Sequence, residues 1–257
     1  MSTLKLSIIQ SDLKWHDPAA NREQFTSALE SIGEPTDLAI LPEMFATGFT
    51  MDAANNAEKM DGKTVQWMAD MASKTGASVC GSLIIEDAGE FYNRFICVSP
   101  TGELTHYDKR HLFCLAGEDK HFAAGSSRTT FSMNGFRICP LICYDLRFPV
   151  WSRNNDSYDL LIFVANWPSP RHFAWQTLLR ARAIENLSFV AGVNRAGKDG
   201  NGLPYLGGSA VIDYLGADLV NLGDAVGVAT TTLDRQALVA FRERFAFDKD
   251  ADDFDLT

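Results

Sequence analysis

The chain has 257 residues, 46% of them hydrophobic and 22% charged, the ordinary balance of a soluble globular enzyme with one large core. Its net charge of −10 argues against a nucleic-acid surface, since neutralising phosphates takes clustered Lys and Arg, and its apolar runs are too short to span a membrane. Five cysteines, an odd number with no CxxC pair, argue against a disulfide framework and leave at least one thiol free. The first residues run directly into a strand-like pattern, without a basic segment, an apolar signal core or a cleavage site, which predicts cytoplasmic residence.

Strand and helix patterns alternate nearly throughout, the signature of a layered α/β fold. Residues 4–10 read as the first strand. Asp17-Pro18 then supplies an N-cap and a first-turn proline, with Phe25, Leu29 and Ile32 following at helical spacing. A short buried strand over 37–41 ends in Pro42-Glu43, so a carboxylate stands at a strand's C-terminal edge. Val65, Met68, Ala69 and Ala72 mark one face of a helix that Gly76 terminates. Residues 77–85 and 91–98 form a hairpin, and 103–107 add a third strand. From 109 to 125 periodicity fades while Lys109, Arg110, His111, Glu118, Asp119, Lys120 and His121 accumulate, and loops of this kind often hold functional groups.

An apolar run from Phe136 stops abruptly in charge at Cys143-Tyr144-Asp145-Leu146-Arg147. A thiol where a buried strand turns sits among backbone N–H groups that favour the thiolate, although a free cysteine is also an ordinary small core hydrophobe. A further buried strand over 159–165 leads to Asn166-Trp167-Pro168, and Ser169-Pro170 reads as the N-cap of a helix reaching about Leu187. That helix is apolar on several sides, which predicts cover from the sheet and from a further layer such as a second subunit. Strands over 188–193, 208–214 and 226–233 and a helix from Asp234 complete one domain over 1–245; no internal repeat is visible. Residues 246–257 read as a solvated acidic tail, with Asp248, Asp250, Asp252, Asp253 and Asp255 against Lys249 alone.

Glu43, Lys109 and Cys143 thus stand on separate elements that can converge beyond strand ends, where sites in α/β sheets gather. Each alone also reads as a surface group or a core group. Cys80, Cys97 and Cys139 read as core, Cys114 is left open as a lining residue, and no His/Cys pairing supports a metal; no cofactor is called for. A G-x-S-x-G elbow, a papain-like cysteine run and a dinucleotide fingerprint are all absent.

Together, Leu41-Pro42-Glu43-Met44-Phe45, Tyr107-Asp108-Lys109-Arg110-His111-Leu112-Phe113 and Ile142-Cys143-Tyr144-Asp145-Leu146-Arg147-Phe148-Pro149 resemble, in order, the Glu, Lys and Cys motifs of the nitrilase, or carbon-nitrogen hydrolase, superfamily. The resemblance implies a four-layer αββα sandwich that pairs into a homodimer or higher oligomer. It makes Cys143 the nucleophile, Glu43 the general base and acid, Lys109 the electrostatic stabiliser, and Glu118 the family's second glutamate. An adjacent base is what a thiol needs to become a nucleophile, and Lys109 with the Tyr144 N–H can receive an oxyanion, each such donor contributing roughly 3 to 4 kcal/mol in comparable sites. The runs Glu43-Met44-Phe45-Ala46-Thr47-Gly48-Phe49 and Trp167-Pro168-Ser169-Pro170-Arg171 resemble the omega-amidase-like branch, which implies a small-molecule amide substrate such as 2-oxoglutaramate or 2-oxosuccinamate. An N-carbamoyl amino-acid amidohydrolase, an aliphatic amidase, a nitrilase and a non-catalytic binding protein remain alternatives. A distal carboxylate needs a cation; Arg171, beside Trp167, leads, with Arg147 and Arg195 behind it.

Overall fold

In the computed structural model, which describes residues 2–155 and 157–252, the chain begins β1 (Thr3–Gln10), α1 (Pro18–Glu30), β2 (Leu38–Ile40), α2 (Ala53–Asn56), α3 (Lys63–Thr75), β3 (Ser78–Asp87), β4 (Glu90–Val98) and β5 (Leu104–Asp108). It continues β6 (Phe131–Met133), β7 (Phe136–Ile142), α4 (Pro149–Ser152), β8 (Leu160–Ala165), α5 (His172–Asn186), β9 (Phe189–Asn194), β10 (Ala196–Lys198) and β11 (Pro204–Leu206). Then come β12 (Ala210–Ile212), β13 (Asp218–Asn221), β14 (Gly227–Asp234) and α6 (Arg235–Arg244).

Two 6-stranded sheets result, ordered β14-β1-β2-β3-β4-β5 and β6-β7-β8-β9-β12-β13, with β10 and β11 as a separate hairpin. Both sheets repeat one pattern: an antiparallel edge pair, two parallel pairs, then two antiparallel pairs. The topology therefore repeats where the sequence has no visible repeat, because strand pairing is carried by the backbone and tolerates any side chains that alternate suitably.

Alternation along the strands builds the layers. Leu4, Leu6 and Ile8 join Phe95, Tyr107, Ile138 and Leu160 in the core between the sheets. Their neighbours Ile9, Ala39, Leu41 and Val79 meet Phe25 and Leu29 of α1 and Val65 and Met68 of α3 on the opposite face. On the far side α5 lays Trp175, Leu179 and Ala183 onto the second sheet. A Cβ at Gly192 of β9 would come within 2.5 Å of Leu179 Cδ1, so only glycine admits the helix this closely.

Asp17 caps α1 by accepting from the Ala20 N–H at 3.0 Å, and Gly76 ends α3 in the left-handed region, as expected. Ser169 does not cap α5. Residues Ser169–Arg171 form a separate 3₁₀ turn closed by Arg171 N–H on Pro168 O, the Ser169 hydroxyl has no partner among the described residues, and the helix starts at His172. Arg171 therefore stands before the helix rather than in its opening turn. The strands β6, β10, β11 and β13 were not expected: three or four residues are too few to display an alternating pattern. Of the expected acidic tail, 253–257 lie outside the described residues, and Phe247 sets its ring 5.9 Å from that of Phe245. Among the described residues no helix is long and apolar enough to cross a membrane.

Candidate active site

The parallel strands of both sheets end at a common place, and the expected residues leave from those ends. After β2 the chain passes Leu41-Pro42 to Glu43, then turns sharply at Met44, whose φ is 41. The turn is fastened by Ser82 on β3, which receives the Met44 N–H at 2.9 Å and donates to Asn93 Oδ1 at 2.8 Å. Lys109 follows β5 directly. Its ammonium contacts Glu43 Oε1 at 3.0 Å and both oxygens of Glu118 at 2.9 Å, with all three side chains almost wholly buried. Sequence reasoning missed the donors that complete this cluster. Asn93 Nδ2 donates to Glu43 Oε1 at 2.8 Å, the Asn166 N–H donates to Glu43 Oε2 at 2.7 Å, and the Phe113 N–H serves Glu118 Oε2.

Burial opposes charge on Lys109, but Glu118 and then Glu43 outweigh it and raise its pKa, so the ammonium stays protonated. Glu118 is pushed up by burial and by Glu43, against the pull of Lys109.

Cys143 follows the last residue of β7 with a φ of 44, a left-handed conformation that is strained for a non-glycine residue. It opens the 3₁₀ turn Cys143–Arg147, and the buried Asp145 holds that turn. Asp145 accepts from the Ile142 N–H at 3.0 Å, from the Tyr107 hydroxyl at 2.8 Å and from the His111 N–H at 3.0 Å. One carboxylate thereby ties the cysteine turn to the segment carrying Lys109. The thiol itself differs from the sequence expectation of a favoured thiolate. Burial and the Glu43 charge push its pKa well above the ordinary range, and Lys109 and the Asn166 N–H offset this only in part. The thiol is protonated at rest, so it has to pass a proton to a base as it attacks.

Cys143 and Lys109 border a cavity of about 550 Å³, a size suited to a small ligand. Tyr144, Trp167, Arg147 and Arg171 line it too. The Arg147 and Arg171 guanidinium groups lie 4.9 Å over the ring of Trp167 and 5.1 Å over that of Phe113. Neither has an ion-pair partner among the described residues. Arg195 is different: it is fully buried, paired with Asp12 at 3.0 Å, and not in the cavity wall. Cys114 is exposed and lies outside the lining, while Cys80, Cys97 and Cys139 are buried. Among the described residues no cluster of His, Cys, Asp and Glu is arranged to hold a metal.

Two packed sheets flanked by helices, with a buried Glu-Lys-Glu cluster and a strand-end cysteine on one cavity, define a class of thiol hydrolase. The family model for carbon-nitrogen hydrolases matches residues 5–243, and the chain belongs to that family. It is accordingly an enzyme that hydrolyses carbon-nitrogen bonds. It is 46% identical over 256 residues to omega-amidase YafV of Yersinia enterocolitica, covering 99% of each chain. To the 2-oxoglutaramate amidase of Bacillus subtilis it is 32% identical over 243 residues, covering 93% of each. A CN-hydrolase superfamily protein of Xanthomonas campestris, solved with an arsenic adduct in its active site, is 47% identical and superposes with a TM-score of 0.97, both chains being covered in full. The expected four-layer αββα sandwich is the fold present.

Proposed function

We propose that the chain is an omega-amidase, hydrolysing the terminal amide of a small 2-oxo dicarboxylic acid monoamide such as 2-oxoglutaramate or 2-oxosuccinamate. Cys143 attacks the amide carbonyl while Glu43 takes its proton, and the developing oxyanion is received by Lys109 and the Tyr144 N–H. Collapse breaks the C–N bond as Glu43 returns the proton to nitrogen, releasing ammonia and leaving a thioester on Cys143. Glu43 then deprotonates water, whose oxygen attacks the thioester; the C–S bond breaks, the proton returns to sulfur and the diacid leaves. Glu118 keeps Lys109 charged and in place.

The observation that carries the substrate reading is that Arg147 and Arg171, in the same cavity as Cys143, stack on aromatic rings and have no carboxylate partner among the described residues, in a protein of net charge −10. Cations not matched by a protein carboxylate suit a substrate that brings its own. Kinship with an omega-amidase and a 2-oxoglutaramate amidase supports the same choice. Arg171→Ala should raise KM for 2-oxoglutaramate at least tenfold and leave KM for a neutral aliphatic amide nearly unchanged; an equal effect on both removes Arg171 from carboxylate binding. A cytoplasmic homodimer completes the reading. Phe173 and Ile184 on α5 are 82% and 51% exposed in the single chain, an apolar surface that a second copy can cover. Light scattering that gives a stable monomer at micromolar concentration contradicts that part.

A further inference from the structure

Arg195 leaves the end of β9 and turns inward, where it has no exposure at all. Its Nη2 donates to Asp12 Oδ1 at 3.0 Å, to Leu13 O at 3.4 Å and to Lys198 O at 2.7 Å, and its Nε to Ala196 O at 3.1 Å. The guanidinium carbon lies 4.7 Å over the Tyr205 ring. These partners belong to two segments: the stretch that follows β1, and the β10-β11 hairpin. Both segments run on into the cavity wall, the first through Trp15 and the second through Asn201, Leu203 and Tyr205. They also touch each other directly. The Ala196 N–H bonds to Ser11 O at 3.0 Å, and a Cβ on Gly200 would lie 2.4 Å from Trp15 Cδ1.

A buried guanidinium is costly to desolvate, and here its Nη1 has no partner among the described residues, so stability alone gives a weak reason for an arginine. What the side chain does at this point is bond both segments at once: Nη2 alone reaches Asp12 and Leu13 on one side and Lys198 on the other, and Nε adds Ala196 O of the hairpin. We propose that Arg195 is a positioning residue that locks the Trp15 segment to the β10-β11 hairpin as a closed rim over Cys143, and so sets the length of acyl chain the cavity accepts. The inference builds on the reading of this cavity as the amide site, but it concerns the wall, and the wall can be probed without turnover.

The test measures alkylation of Cys143 by iodoacetamide and by N-alkyl iodoacetamides of increasing chain length, read on the Cys143 peptide by mass so that exposed Cys114 does not interfere. Wild type should discriminate against the long reagents. Arg195→Met should reduce that discrimination at least tenfold while the rate with iodoacetamide itself changes less than threefold, and Arg195→Lys should retain part of it. Gly200→Ala, which forces Trp15 off the hairpin without touching Arg195, should give the same signature and decides the matter if Arg195→Met fails to fold. In steady state, kcat/KM for amides one and two carbons longer than 2-oxoglutaramate should rise relative to 2-oxoglutaramate through KM rather than kcat. Unchanged chain-length discrimination in a folded Arg195→Met, or in Gly200→Ala, overturns the proposal. Loss of amide turnover with intact reagent discrimination in wild type would overturn the substrate reading and not this one.

Discussion

Replacing Lys109 by methionine removes the cation between two carboxylates of which neither is exposed, and the structure sets the size of the result. Glu43 keeps donors from Asn93 and Asn166, whereas Glu118 keeps the Phe113 N–H and a long 3.4 Å contact to Asn93, so the uncompensated charge falls on Glu118. That group is already pushed upward by burial and relieves its charge by taking a proton. Holding a carboxyl group of ordinary pKa about 4.3 neutral at pH 7 costs about 3.7 kcal/mol, and about 1 kcal/mol at pH 5. In the variant the folded-state pKa lies above the unfolded one, so the carboxyl contributes most favourably below about pH 4.3 and that contribution is lost as pH rises. The gap to wild type must therefore widen from pH 5 to pH 7. Urea unfolding of wild type, Lys109→Met and Lys109→Met/Glu118→Gln at the two pH values measures it; the double variant should regain most of the stability at pH 7, while both variants lose ammonia release. A destabilisation equal at the two pH values, or below about 1 kcal/mol at pH 7, refutes the reasoning.

Cys143→Ala should abolish ammonia release and change unfolding free energy by less than about 1 kcal/mol, since it removes one sulfur from a side chain that borders the cavity rather than filling the core. Cys143→Ser should be severely impaired as well, because a carboxylate cannot readily activate an alcohol; activity near wild type in either protein rejects Cys143 as nucleophile. The pH profile of Cys143 alkylation by iodoacetamide should inflect above the ordinary thiol range of about 8.5, burial and Glu43 being the causes. Glu43→Gln deletes one of those causes, so it should move the inflection down while abolishing turnover; an inflection that stays put or rises contradicts the assigned electrostatics.

The parts of this site that were legible in the sequence are those whose local pattern carries a consequence. The strands expected over 37–41 and 159–165 and the apolar run from Phe136, interrupted only by Arg137, were legible from composition, and Glu43 and Cys143 could be placed at strand ends because the first and last of these runs stop just before them. Asn166 gave a usable signal of the same kind, as the first polar residue after β8. Asn93 gave none. It lies in the middle of a hairpin strand opposite Ile84, and its bond to Glu43 exists only because β4 pairs with β3 beside the turn after β2. Likewise Arg147, Arg171 and Arg195 were three similar cations in the sequence, and only the fold separates two that face the cavity from one buried behind its wall. The resting state of Cys143 escaped for a related reason: spacing conveys nearby N–H groups but not how much water burial removes.

The division of the chain into two sheets of identical pairing order bears on when catalysis can first exist. Glu43 departs from one sheet and Cys143 and Asn166 from the other, and the Asn166–Glu43 and Tyr107–Asp145 bonds cross between them. The first sheet is itself unfinished until β14, near the end of the chain, returns to lie beside β1. A nascent chain still short of β14 therefore holds Glu43, Lys109, Glu118 and Cys143 without the completed sheet that positions them. In refolding, far-UV ellipticity can recover as each half acquires its strands, while ammonia release has to wait for the halves to dock, which makes enzymatic activity a clock for the final step of assembly.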